Sequence, residues 1–229
     1  MKPRVFDIII IGRGPVGLTM AATASQLGLS VAIVEKHSDL YGLPRAGHLD
    51  HEIVRLLQSI DCAKEMLADS YPTTEYVWVN ADGELLLEFD WGEKGISGYN
   101  SDYMQFQPVF ENAVSKRLDD DPNVTQFLEF EAQDIDDDGD KVTLTIAKTR
   151  LQAGNPRPVA TNEKQVIAGR YVVAADGANS GMRNHLGIER EDLFFNEKWL
   201  VVDARKKREA QFEQAQAQWE ATALELKQR

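Results

Sequence analysis

The chain has 229 residues, 43% of them hydrophobic, which is enough for one sizeable core or for one domain with an appendage. A formal net charge of -12 offers phosphate backbones and anionic membrane surfaces no Lys/Arg excess, so nucleic acid is not expected as a partner. The single cysteine, Cys62, excludes an internal disulfide and any multi-cysteine metal site, which fits a reducing compartment.

In chain order, Val5 to Ile11 is a near-continuous β-branched run ending at a glycine, the pattern of a strand buried on both faces of a parallel sheet. It is too short to span a bilayer and lacks a signal-peptide cleavage pattern, so no membrane span and a cytoplasmic location are expected. Val16 to Leu27 reads as a helix stopped by Gly28, and Val31 to Glu35 as a second buried strand; together they make one βαβ unit. After a loop with Gly42, Pro44 and Gly47, Asp50 is placed to cap a helix carrying Ile53, Leu56, Leu57 and Ile60. Thr73 to Asn80 and Glu84 to Phe89 flank Ala81-Asp82-Gly83, a hairpin signal. Val109 to Leu118 reads as a helix starting just after Pro108. Val124 to Ala132 reads as one strand, paired in a hairpin with the alternating run Val142 to Ile146. A loop through Asn155, Pro156 and Pro158 leads to a short strand from Val166 to Ile167, and Tyr171 to Ala175 is a further apolar strand that returns to the parallel sheet. From Ala204 the composition turns to Lys, Arg, Glu, Gln and Ala without Gly or Pro, a helix whose Phe212, Ala215, Trp219, Ala223 and Leu226 form one stripe. The expected fold class is therefore α/β: a Rossmann-like parallel sheet over residues 1–203, with an inserted antiparallel β region at about 73–168 and a helical extension at 204–229.

Gly12-Arg13-Gly14-Pro15-Val16-Gly17 stands between the first strand and the first helix, where a GxGxxG pattern has mechanical meaning. Gly12 allows the tight turn, Gly14 lets backbone approach a pyrophosphate, and Gly17 lets helix and strand pack closely. The anion then sits on the free N–H groups and the positive dipole end of the helix. Glu35 ends the second strand at the distance where an acid accepts hydrogen bonds from an adenosine ribose. The pattern alone does not separate NAD from FAD.

The return strand runs into Asp176-Gly177-Ala178-Asn179-Ser180-Gly181-Met182-Arg183. Ligands of open α/β sheets lie outside the carboxyl ends of the strands, which puts Asp176 beside the glycine turn. Gly177 permits a sharp turn, and Asn179 or Ser180 can cap the helix that carries Arg183. An ordinary strand-turn-helix junction would use the same residues.

GxGxxG, a ribose-binding Glu and a late strand running into DGxxSxxR, in that order, resemble the class A flavoprotein aromatic monooxygenases, with the 3-(3-hydroxyphenyl)propionate hydroxylases nearest by motif. Pro44-Arg45-Ala46-Gly47-His48-Leu49-Asp50 is similar to the family loop whose arginine contacts FAD, and Gln107-Pro108-Val109-Phe110-Glu111 to its second FAD-contacting segment. The resemblance implies FAD as cofactor, NAD(P)H as reductant, and a small phenolic substrate hydroxylated with O2. It implies cofactor contacts at Gly12, Gly14, Pro15, Val16, Gly17, Glu35, Arg45, Gln107, Asp176, Gly177, Ser180 and Arg183, and names no catalytic side chain, because the hard chemistry belongs to the cofactor. His48, His51 and His185 suggest neither a catalytic triad nor a metal site. Members of the family continue with a glycine-aspartate segment and most of a substrate-binding sheet, of which this chain carries nothing recognisable after Asp203; weak or absent turnover of the chain by itself is the expectation. Two rival readings remain: a non-catalytic nucleotide-binding module that recruits a partner or a second copy through the terminal helix, and a plain NAD-dependent oxidoreductase.

Other patterns have plainer readings. Asp134 to Gly139 opens like a calcium loop, but Thr145 stands where a bidentate Glu is needed, so a solvated hairpin turn is expected. Asp119-Asp120-Asp121 reads as a helix end, although acids are unfavourable there for the helix dipole. Trp78, Trp91, Tyr99 and Tyr103 fit either a substrate pocket or packing of the β-rich region.

Overall fold

A computed structural model describes residues 4–43, 45–155 and 157–195. Its elements in chain order are β1 (Val5–Ile11), α1 (Pro15–Gln26), β2 (Val31–Glu35), β3 (His48–Asp50), α2 (His51–Ser59), α3 (Ala63–Leu67), β4 (Tyr71–Pro72), β5 (Glu75–Val79), β6 (Leu85–Asp90), β7 (Asp102–Met104), α4 (Gln107–Asp119), β8 (Val124–Leu128), β9 (Phe130–Asp137), β10 (Val142–Arg150), β11 (Val159–Ala174) and α5 (Gly181–His185). A compact unit ends at Leu193. The helix expected from Ala204 and its apolar stripe lie outside the described residues.

The main sheet has the order β8-β2-β1-β11-β10-β9. β1, β2, β8 and the last residues of β11 run parallel, while β10 is antiparallel to both β11 and β9. Because side chains alternate along a strand, the two apolar runs bury both of their faces. Ile8, Ile10, Val31 and Ile33 face a core shared with Leu18 and Ala21 of α1, Leu57 of α2 and Phe110, Val114 and Leu118 of α4. Ile9, Ile11, Ala32 and Val34 face the opposite way and pack against Leu144 and Ile146 of β10, Ile167 of β11 and Met182 of α5. The antiparallel strands therefore cover the sheet face that the helices leave open. Cys62 is buried against the first core, where burial pushes its thiol pKa up.

Two expectations about strands need correction. Val124 to Ala132 is not one strand, because the chain breaks at Glu129, whose φ of 58° is left-handed. β8 adds in parallel to β2, while β9 pairs with β10 and belongs to the antiparallel layer. The Glu129 carbonyl accepts from Thr149 N at 2.7 Å, and its amide donates to the His37 carbonyl at 3.3 Å, so the corner is fixed from both sides. Val166-Ile167 and Tyr171 to Ala175 are not separate strands either: both lie on or beside β11, which pairs with β10 over its first part and with β1 from Ala168 onward. The polar stretch Thr161 to Gln165 stays extended within the β10–β11 hairpin, whose ladder pairs Ala160 with Thr149, Lys164 with Ala147 and Gln165 with Ile146. The return to the parallel sheet is as expected, Tyr171 to Ala174 pairing in parallel with Ile8 to Ile11, although Tyr171 itself is exposed.

Local signals behave as expected elsewhere. Asp50 caps α2 by accepting from Glu52 N and Ile53 N, and Gly28 follows α1 with a positive φ of 80°. Asn80 closes the β5–β6 turn by accepting from Gly83 N through its carbonyl and from Asp82 N and Glu84 N through its side chain. Asp138 makes the β9–β10 turn, where hydrogen bonds from the Lys141 side chain and the Lys141 and Asp140 amides lower its pKa to about 2. Among the described residues no helix is long and apolar enough to cross a membrane.

Candidate functional site

The glycine turn and the Asp176 corner meet at the carboxyl end of the parallel strands. Gly12 has a φ of 105°, and a Cβ there would collide with the Ala175 carbonyl. A Cβ on Gly17 would collide with the Gly12 carbonyl, so both glycines are required by close backbone approach. Gly14 differs: nothing lies within 4 Å of where its Cβ would be. No side chain caps α1 at Gly14, which leaves the Val16 and Gly17 amides without an intrahelical partner. The open space therefore lies in front of the positive end of the helix.

Gly12, Glu35, Lys36, Asp176, Asn179 and Met182 line one cleft of about 130 Å³ at this end of the sheet. Glu35 is positioned by two amides, accepting from Arg13 N and His37 N at 2.9 Å each. Asp176 Oδ2 accepts from Met182 N at 3.2 Å, while its Oδ1 is buried with no partner among the described residues. A buried carboxylate oxygen without a donor is costly, and a hydroxyl or amide brought into the cleft would satisfy it. Gly177 takes the left-handed conformation at φ 82°, and Ser180 caps α5 by accepting from Arg183 N at 2.9 Å. Of the two residues suited to that cap, Ser180 is the one used. Arg183 donates through one terminal nitrogen to the Ala178 carbonyl at 3.0 Å, and its Nε is buried without a partner among the described residues. The DGxxSxxR residues thus build their own turn first and present Asp176 to the cleft.

A second cluster stands on β3, α4 and β7. Gln107 is 3% exposed, and its Oε1 accepts from both Arg45 N and Ala46 N at 3.0 Å, while its Nε2 donates to Glu111 at 2.7 Å. Both ends of the amide are occupied by protein, so Gln107 acts on any ligand by holding the Arg45 loop. The Arg45 guanidinium stacks over the Tyr41 ring at 4.5 Å.

Two further residues have side-chain partners that the sequence alone does not mark. Arg13, the variable residue of the glycine turn, is buried and donates to Gln126 at 2.8 Å and Ser115 at 2.6 Å, clasping the turn to β8 and α4. His48 is not isolated: its Nδ1 lies 2.6 Å from Asp102 Oδ1, beside the stacked rings of Tyr76 and Trp91. The RAGHLD segment marks His48, but nothing local marks Asp102. Of the aromatics, Trp91 joins this stack, Trp78 meets Tyr76 edge-on, and Tyr99 and Tyr103 belong to the helical core. A wider depression, about 410 Å³, between Ser25, Arg117 and Asp121 lies where α1 ends and β8 begins, away from the glycine turn.

The model of the FAD binding domain family matches residues 5–223. The match runs beyond Asp203, where the motif resemblance ends. A probable NADH-specific resorcinol 4-hydroxylase of Rhodococcus jostii (strain RHA1) is 32% identical over 207 residues, covering 90% of this chain and 37% of the relative. A 3-(3-hydroxy-phenyl)propionate/3-hydroxycinnamic acid hydroxylase of Mycolicibacterium smegmatis is 27% identical over 88% of this chain and 34% of the relative. The chain thus spans about a third of the length of these relatives. In three dimensions, p-nitrophenol 4-monooxygenase of Pseudomonas putida DLL-E4 matches with a TM-score of 0.68 at 23% identity, over 80% of this chain and 44% of that one. By its match over most of its length this chain belongs to the FAD binding domain family.

Proposed function

We propose that this chain is the FAD-binding portion of an NAD(P)H-dependent hydroxylase of phenolic compounds. The observation that carries the reading is the packing of Gly12 against Ala175 and Asp176, which joins the glycine turn, Glu35 and an unsatisfied Asp176 oxygen in one cleft. The residues present fit the cofactor. The Val16 and Gly17 amides and the α1 dipole receive the pyrophosphate, and the absence of a side chain on Gly14 admits it. Glu35, oriented by Arg13 N and His37 N, accepts from the adenosine ribose with its remaining lone pairs. Asp176 Oδ1 accepts from a cofactor hydroxyl or amide, with Gly177, Ser180 and Arg183 shaping its turn. Arg45 offers charge to the phosphates from a loop that Gln107 fixes.

The chemistry such a cofactor supplies is acceptance of a hydride from NAD(P)H and activation of O2 for insertion of one oxygen atom into a phenol ring. The protein's share is to bind, orient and shield. A nicotinamide reductant is supported by the NADH-specific description of the Rhodococcus relative, and a phenolic substrate by the compounds named for both curated relatives. The test is spectroscopic. The purified chain is loaded with FAD, and NADH or NADPH is added without oxygen, alone and with resorcinol. Bleaching of the flavin band that resorcinol accelerates supports the reading; a chain that takes up FAD but is never reduced by either nucleotide removes the hydroxylase part of it.

A further inference from the structure

We propose that Thr149 of β10 is a positioning residue for Glu35, so that the antiparallel layer, together with the glycine turn, sets how the adenosine ribose is held. This rests on the FAD-binding reading above and adds a residue to it. Thr149 is 1% exposed, and its hydroxyl donates to the Lys36 carbonyl at 2.6 Å across 113 residues of sequence. That carbonyl belongs to the same peptide unit as the His37 N–H, which donates to Glu35 Oε1 at 2.9 Å. A trans peptide is planar, with its C=O and N–H on opposite edges, so a grip on the oxygen fixes the direction of the hydrogen. The contacts therefore run from the Thr149 hydroxyl through one rigid unit to the ribose acid. Hydrogen bonds in line polarise one another, so the same hydroxyl strengthens the His37 N–H as a donor. Arg13 N holds the other oxygen of Glu35.

Thr149 also closes a circuit. Its amide donates to the Glu129 carbonyl at 2.7 Å, and the Glu129 amide donates to the His37 carbonyl at 3.3 Å. Thr149, Lys36, His37 and Glu129 thus hold one another, and the Thr149 hydroxyl is the side-chain member of the circuit. Among the described residues of β10, Thr149 alone buries a polar side chain, beside the buried Leu144, Ile146 and Ala147. A buried hydroxyl is costly without a partner, and here the partner is the Lys36 carbonyl. The β10–β11 ladder shifts register between Ala147 and Thr149, the kind of irregularity that re-aims a side chain.

The consequence falls on the cleft. Glu35 and Lys36 line it together with Phe130 and Glu131, which follow directly on Glu129. Glu35 meets the ribose hydroxyls with the lone pairs that its two amide donors leave free. A carboxylate released from the His37 amide turns about its last bond and loses that geometry, although the glycine turn itself is untouched.

The test compares ADP with dideoxyadenosine diphosphate, whose ribose lacks both hydroxyls, each displacing FAD from the full chain and followed by recovery of flavin fluorescence. The unaltered chain is expected to prefer ADP roughly tenfold, the scale of hydrogen bonds to a charged acceptor. Thr149→Val keeps the shape of the side chain and removes the donor. Affinity for ADP then falls roughly tenfold while that for the dideoxy nucleotide holds, so the preference disappears. Thr149→Ser restores it, and in a Glu35→Ala chain Thr149→Val has no further effect on the preference. Equal weakening of both nucleotides, or a preference that survives in Thr149→Val, overturns the proposal. The His37 amide is followed separately by hydrogen exchange on nucleotide-free chain. Its exchange quickens about tenfold in Thr149→Val and recovers in Thr149→Ser, and unchanged exchange overturns the proposal as well. A chain that takes up neither FAD nor ADP counts instead against the cofactor reading, while the His37 amide still decides the role of Thr149.

Discussion

One side-chain oxygen of Gln107 accepts both the Arg45 and the Ala46 amides, each at 3.0 Å, from the first turn of α4. Gln107→Leu leaves the buried Glu111 carboxylate without its donor and releases the Arg45 and Ala46 amides of an exposed loop. Such losses cost about 1–3 kcal/mol. Urea unfolding is expected to show that drop, and FAD titration a weaker affinity, because the Arg45 loop is no longer held. Unchanged FAD affinity in a measurably destabilised variant would separate the loop from the cofactor site.

Gly12 and Gly14 respond differently to the same added methyl group. Gly12→Ala meets the Ala175 carbonyl and needs a left-handed φ, so it is expected to destabilise the chain by at least about 1–3 kcal/mol. Gly14→Ala meets nothing, its φ of -84° suits alanine, and stability should hold or rise by about 0.4–1 kcal/mol. Its methyl group nonetheless fills the approach to the helix amides, and FAD affinity should fall roughly tenfold, or about 1.4 kcal/mol. Thermal melts combined with FAD titrations check both. A Gly14→Ala chain with normal FAD affinity would place the diphosphate elsewhere.

Asp121 gives the chain an acid-sensitive tie between α1 and β8. Burial alone would raise its pKa, but hydrogen bonds from Ser25, the Asn123 amide and Arg117, the last at 2.9 Å, outweigh it and hold the carboxyl below its ordinary 3.8. A depressed folded-state pKa contributes stability that is fully present above the unfolded value and is lost as pH falls through the folded one. The difference in unfolding free energy between the unaltered chain and Asp121→Asn should therefore be large at neutral pH and shrink below about pH 4. A difference that stays constant through the acid range would assign the tie to packing rather than charge.

Glu129 turns the chain from the parallel layer into the antiparallel one at φ 58°. Glycine adopts that conformation freely, so Glu129→Gly should be tolerated, its lost contact with Lys148 being an exposed pair of small value. Glu129→Val should cost about 1–3 kcal/mol, since a β-branched residue is strained there. Equal stability of the two variants in urea would show that the corner relaxes.

The parts of the fold legible in the sequence are those whose cause is local. The glycines of the first turn, the apolar runs of β1 and β2, and the Asp50 cap each follow from neighbours a few residues away. The Glu129 corner was hidden because a non-glycine residue takes a glycine conformation, with apolar or β-branched neighbours on both sides. The length of β11 was hidden because Thr161 to Gln165 is polar and is kept extended by pairing with β10. In the site, Gly12 and Asp176 could be brought together from the rule that ligands gather at the carboxyl ends of strands. Gln107 occupies the expected segment, yet its contact with the Arg45 loop arises only in the folded chain. Asp102 lies 54 residues from His48, and only the β3–β7 register joins them.

The most direct test of the central claim is an equilibrium titration of the purified 229-residue chain with FAD, followed by flavin fluorescence. The account predicts saturable quenching at one FAD per chain, weakened in Asp176→Ala, whose replaced carboxylate carries the unpartnered Oδ1 of the cleft. Flavin fluorescence that stays unquenched by excess folded chain would contradict it.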